Sequence, residues 1–187
     1  MKVLKFGGTS VANAQNIALV KNIVSNSESD KNIVVVSALG GVTDLLLNTA
    51  TLAALQDDSY KAFVKEIEDR HIETIKTLIP IASQSSVLSM VKSELNTLET
   101  LLEGAFLIGE ITPKLSDKIV SYGELLSSYI ISEYFKEEGL DVVHADSRKL
   151  IKTNTVNGKT VVNFEATNTL CSDFFSVTPQ KVVVMAG

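Results

Sequence analysis

Short apolar runs and helix-spaced apolar stripes alternate along the chain from its start. Val3–Phe6 reads as a strand. Val11–Val24 reads as a helix with Ile17, Val20, Ile23 and Val24 on one face. The polar segment Ser25–Asn32 predicts a loop, and Ile33–Val36, short and β-branched, a buried strand. Ser37-Ala38-Leu39-Gly40-Gly41 is a glycine turn that leads into a helix from Thr43 to about Leu55. Strand, turn and helix, repeated in that order, predict a parallel sheet covered by helices.

Two long helical stripes follow. Tyr60, Phe63, Val64, Ile67, His71, Ile75 and Leu78 keep helical spacing until Pro80. Val87, Leu88, Val91, Leu95, Leu98, Leu101 and Leu102 do the same. The short link predicts an antiparallel helical hairpin at about 60–105, packed on the sheet. Ser116-Asp117 should cap a helix running to about Glu138, with Gly139 at its end. Val142–Ala145 is another strand. Asn157-Gly158 is a hairpin turn between Thr153–Val156 and Thr160–Val162. Phe164–Phe175 is partly helical, and Lys181–Met185 is a strand. In an open α/β sheet, ligands bind outside the carboxyl ends of the strands. The loop that should follow Lys181–Met185 is absent, so the chain is expected to be a piece of a longer one.

The first strand end carries the sharpest chemistry. Val3–Phe6 runs into Gly7-Gly8 and then the hydroxyl pair Thr9-Ser10, which can cap the next helix. Adjacent glycines let the backbone approach a ligand with no Cβ in the way. A helix N-terminus behind them favours an anion, and Lys5 adds a full positive charge. The combination reads as a phosphate site. It differs from the P-loop, whose lysine follows the glycines, and from the dinucleotide fingerprint, whose third glycine is missing here. The second turn adds Ser37, Thr43 and Asp44 beside it. Such a pair of turns suits a phosphate on one side and a small polar substrate on the other.

Composition narrows the partners. The 187 residues are 45% hydrophobic with only 3 Pro, which is globular. A net charge of -5 with no basic cluster argues against nucleic acid or an anionic membrane as partner. No apolar run reaches the ~18 residues of a membrane span. A single cysteine, Cys171, excludes an internal disulfide and fits a reducing cytoplasm. His71 has no second ligand at metal spacing, so it reads as a packed residue and no metal site is expected.

Two further clusters stand out. Gly123, in Ser121-Tyr122-Gly123-Glu124, lies inside a helix, where glycine costs ~1 kcal/mol against alanine. Close packing or ligand approach would account for it. Glu124 reads either as a holder of an ammonium group or as a surface carboxylate. Asp146 and Arg148 follow a strand end and read as a structural pair.

Lys5-Phe6-Gly7-Gly8-Thr9-Ser10-Val11 resembles the N-terminal signature of aspartokinases, in the amino-acid kinase superfamily. Ser37-Ala38 with Thr43-Asp44 resembles the second family motif, Ser121-x-Gly123-Glu124 the third, and Val182–Gly187 the strand leading to the nucleotide half. Met1–Ala14 and the helical hairpin are especially similar to the bifunctional aspartokinase–homoserine dehydrogenases.

The resemblance implies a three-layer α/β/α fold with a mostly parallel central sheet. Residues 1–187 would form the N-terminal, substrate-binding half of the kinase domain. It implies transfer of the ATP γ-phosphoryl group to the side-chain carboxylate of L-aspartate, the entry step to lysine, threonine, methionine and isoleucine. Lys5 would be the catalytic cation on the ATP phosphates. Gly7, Gly8, Thr9 and Ser10 would line the phosphate path, Ser37 and Thr43 would hold aspartate, and Glu124 its amino group. Mg²⁺ would bridge the phosphates, and the full-length protein would be a homo-oligomer. The family's remaining residues lie beyond Gly187, so this piece is expected to be inactive alone. Two other readings stay open: an amino-acid kinase acting on glutamate, carbamate or a nucleoside monophosphate, and a non-catalytic α/β binding domain.

Overall fold

A computed structural model describes residues 1–156 and 159–187. Four strands, β1 (Lys2–Phe6), β2 (Asn32–Val36), β3 (Val142–Ala145) and β6 (Val182–Ala186), form one sheet in the order β1-β2-β6-β3. Every pair in it is parallel. The strands are in step: Phe6 pairs with Val36, Val36 with Ala186, and Ala145 with Met185. All four chains therefore leave the sheet at one edge, and that edge holds Gly7, Ser37, Asp146 and Gly187. β4 (Thr153–Val156) and β5 (Lys159–Val162) pair antiparallel as a separate ribbon. The turn expected at Asn157-Gly158 lies outside the described residues.

The central strands are Val-rich because both their faces are covered. Val34, Val36, Val182 and Val184 face a core shared with helices α1 (Ala14–Ser25) and α5 (Pro113–Glu137). Ile33, Val183 and Met185 face Leu150 of the short α6 (Ser147–Leu150) and Leu170, Cys171, Phe174 and Phe175 of α7 (Phe164–Val177). Helices on both faces of a parallel sheet make the three-layer α/β/α arrangement expected from the sequence.

The helical hairpin is α3 (Tyr60–Leu78) and α4 (Ile81–Ile108), broken at Ile79-Pro80 as expected. It does not pack on the sheet. Its partners are α5 and α2 (Val42–Ala54), because α5 already occupies the sheet face. The hairpin is thus an outer layer on that side. His71 is fully buried within it, in keeping with a packed residue.

Three local expectations are corrected. α1 begins at Ala14, with the Asn13 side chain accepting from Asn16 N at 2.9 Å. Thr9 and Ser10 instead belong to a turn closed by Ser10 N donating to the Gly7 carbonyl at 2.9 Å. Ile23 is 54% exposed, because it lies about 120° round the helix from the buried Ile17. α5 starts before Ser116-Asp117, at Pro113, with the Thr112 hydroxyl accepting from Leu115 N at 3.2 Å. A proline just inside a helix start loses no hydrogen bond there, which favours Thr112 as the cap.

Candidate active site

Both glycine turns lie at the carboxyl edge of the sheet, where parallel α/β sheets hold ligands. The first leaves β1 and the second leaves β2. Ser37 N donates to the Phe6 carbonyl at 3.1 Å, and Gly40 N to the Ala12 carbonyl at 3.3 Å, so the turns are tied at two points. A Cβ on Gly8 would lie 3.7 Å from the Ala38 carbonyl oxygen and 4.0 Å from Ser37 Oγ. A Cβ on Gly40 would lie 2.9 Å from the Ala12 Cβ, a clash, so glycine is required there by contact between the turns. Together they shape a cleft of about 410 Å³ lined by Gly8, Thr9, Ser37, Thr43 and Asp44, among others. Gly7 is exposed beside it. Ser10 contributes its N–H to the turn and does not line this cleft.

The start of α1 at Ala14 bears on the electrostatics of this cleft. The helix N-terminus stands four residues beyond Ser10, and its cap is already supplied by Asn13. The first helical turn of α1 therefore does not stand directly behind Gly7 and Gly8.

A second cleft, of about 260 Å³, opens at the same edge above β6 and β3. Glu124 of α5 lines it with Ser121, Asp146, Arg148 and Gly187. Burial pushes the Glu124 carboxyl above its ordinary pKa, while the Lys5 charge and the Ser37 hydroxyl act the other way without cancelling it. Glu124 is therefore a half-buried carboxylate close enough to Lys5 and Ser37 to respond to both. Glu124 thus lines this cleft and is not a fully solvated surface carboxylate.

Gly123 has a packing reason. Its Cβ would stand 3.0 Å from the Ala38 Cβ and 3.1 Å from Leu46 Cδ1. The missing side chain lets α5 press against the second turn and brings Glu124 to the edge. Asp146 and Arg148 form the structural pair expected, with two hydrogen bonds of 2.9 Å. Burial works to raise the Asp146 pKa, but the Arg148 hydrogen bonds and charge outweigh it and hold the carboxyl below its ordinary value.

Ser127 went unnoticed in the sequence. It is fully buried on α5, and its hydroxyl donates to the Ser37 carbonyl at 2.6 Å. Its spacing of three from Glu124, on one face of a helix, is the signal that could have found it. Arg70 of α3 was also missed; its Nη1 donates to the Gly40 carbonyl at 2.9 Å.

Among the described residues, no group of three or more His, Cys, Asp or Glu is placed to hold a metal ion. No helix of the described residues is long and apolar enough to cross a membrane.

The comparisons with known proteins agree with this fold. The model of the amino acid kinase family matches residues 1–187. A bifunctional aspartokinase/homoserine dehydrogenase 1, chloroplastic, of Zea mays is 30% identical over 99% of this chain and 20% of its own length. An aspartokinase of Candida albicans is 32% identical over 80% of this chain and 28% of its own. The chain thus spans between a fifth and somewhat more than a quarter of the length of these relatives. E. coli aspartokinase III, in complex with aspartate and ADP, superposes with a TM-score of 0.85 at 26% identity, over 99% of this chain and 40% of that one. The same enzyme in complex with lysine and aspartate gives the same values. With its whole length matched by the family model and its sheet, turns and layers arranged as described, the chain belongs to the amino acid kinase family.

Proposed function

We propose that the chain is the substrate-binding half of an ATP-dependent aspartate kinase. It would take part in moving the γ-phosphoryl group of ATP to the side-chain carboxylate of L-aspartate, giving 4-phospho-L-aspartate and ADP. The observation that carries this reading is the meeting of Lys5, the Gly7-Gly8 turn, Ser37 and Glu124 at one edge of the sheet. Likeness to an aspartokinase seen with aspartate and ADP supports the acceptor and the nucleotide.

Phosphoryl transfer needs positioning and positive charge where the equatorial oxygens gather negative charge. Lys5 supplies the charge, and the amides of Gly7 and Gly8, with Thr9 and Ser10 behind them, supply the phosphate path. Ser37 and Thr43 hold the acceptor. Glu124 pairs with its ammonium group. The acceptor carboxylate is already ionised near neutral pH, so no general base is required. The donors around the turns are N–H groups, hydroxyls and an ammonium, which suit phosphate oxygens and not a cation. Mg²⁺ would accordingly be held by the nucleotide phosphates and would neutralise their charge. A homo-oligomeric full-length protein and a reducing, cytoplasmic setting complete the reading.

The test is an acceptor panel on the purified full-length protein. With ATP and Mg²⁺, L-aspartate should give an acyl phosphate that hydroxylamine traps as a hydroxamate. Residues 1–187 alone should give none. Faster turnover of glutamate, carbamate or a nucleoside monophosphate by the full-length protein would overturn the assignment.

A further inference from the structure

The second glycine turn is held from outside by a residue of the helical hairpin. Arg70 of α3 lies thirty positions along the chain from Gly40, yet its Nη1 donates to the Gly40 carbonyl at 2.9 Å. The same atom stands 3.4 Å from where a Cβ on Gly41 would be. Arg70 Nη2 is anchored by Glu66 Oε1 at 2.8 Å, one helical turn back on α3. The guanidinium is a planar fork with donors on both sides, so it can brace one group while held by another.

The braced peptide is a junction. Gly40 N donates to the Ala12 carbonyl, which ties the second turn to the first. Gly41 has φ +76° and begins α2 without a side-chain cap. Thr43 and Asp44 follow in the first turn of that helix. Contacts from outside α2 hold the turn that leads into it. Arg70 supplies one, and Gly40–Ala12 another.

We propose that Arg70 is a positioning residue of the site, bracing the Gly40-Gly41 peptide and so placing Thr43 against the acceptor. It lines neither of the two clefts of the candidate site. The consequence for kinetics rests on the aspartate kinase reading; the consequence for the order of the turn does not. An exposed ion pair such as Arg70–Glu66 contributes little to global stability, so the effect of losing it should be local.

The experiment uses the full-length protein with Arg70→Met and Arg70→Lys. Lysine reaches Gly40 or Glu66 but cannot fork between them. In Arg70→Met, amide hydrogen exchange of residues 38–44 should accelerate about tenfold, the size expected for loss of one charge-assisted hydrogen bond. The KM for aspartate should rise about tenfold, with kcat and the KM for ATP changed less than about twofold. Arg70→Lys should fall between Arg70→Met and wild type in both readouts. Unchanged exchange at 38–44 overturns the proposal. So does faster exchange with an unaltered acceptor KM, or a joint fall in melting temperature, kcat and both affinities, which would mark a merely structural residue. If the wild-type protein phosphorylates another acceptor, the aspartate reading fails while the exchange data and that acceptor's KM still decide the role of Arg70.

Discussion

Ser127 Oγ lies 2.6 Å from the carbonyl oxygen of Ser37, ninety residues away in sequence, and its proton joins α5 to the second glycine turn. Ser127 is fully buried, so water cannot replace it. Removing the donor from such a contact costs about 1–3 kcal/mol. Ser127→Ala should therefore lower unfolding free energy by that amount in urea titration. It should also raise the acceptor KM of the full-length protein while leaving the KM for ATP nearly unchanged.

Lys5 is exposed on β1 and braces nothing in the core. Lys5→Ala should leave the urea midpoint unaltered within about 0.5 kcal/mol, as is usual for surface positions. Turnover of the full-length protein should fall by about 10² or more, comparable to removing a preorganised charge donor. Retained turnover would show that the ammonium is not the phosphate contact.

Two helical glycines should respond in opposite directions to alanine. At Gly123 the new methyl meets Ala38 at 3.0 Å and Leu46 at 3.1 Å. Overpacking of about 1–3 kcal/mol then outweighs a helix-propensity gain of about 1 kcal/mol. At Gly104, inside α4, an added Cβ meets nothing within 4 Å. Gly104→Ala should stabilise by about 0.5–1 kcal/mol. Thermal melts of the two variants, compared side by side, test this.

His71 links stability to pH. It is fully buried, and its Nδ1–H donates to the Ile67 carbonyl at 2.7 Å, leaving Nε2 without a partner among the described residues. Burial pushes its pKa down to about 4. Below pH 6.5 the unfolded chain takes up a proton that the folded chain refuses until about pH 4. Stability that is present above 6.5 is therefore lost as pH falls. The loss should be about 2 kcal/mol between pH 7 and pH 5. His71→Leu removes this contribution, so the stability difference between variant and wild type should shift by that amount across the same range.

The strands, the two glycine turns and the hairpin break at Pro80 could be read from sequence because each rests on local chemistry. β-branched runs, paired glycines and a helix-breaking proline act within a few residues. The start of α1 could not be read with the same certainty. Thr9, Ser10 and Asn13 are all competent caps, and in the fold Asn13 takes the role while Ala12 packs against Gly40. Thr112-Pro113 is a legible signal for the start of α5, with which Ser116-Asp117 competes as a second capping pair. Packing of the hairpin on α2 and α5 was illegible, because an apolar stripe names no partner. Likewise, Glu124 reads equally well as solvated or site-facing until Gly123 is seen against Ala38 and Leu46.

The position of β6 within the sheet has a consequence for how the molecule is made. Residues 182–186 lie between β2 and β3, so until they have been synthesised, the sheet is two separate parts with a gap between them. Every pairing they form spans at least forty residues, which predicts slow, late closure governed by chain entropy. During translation the nascent polypeptide exposes the unpaired flank of β2, an adhesive edge that invites chaperones or self-association until β6 slots in.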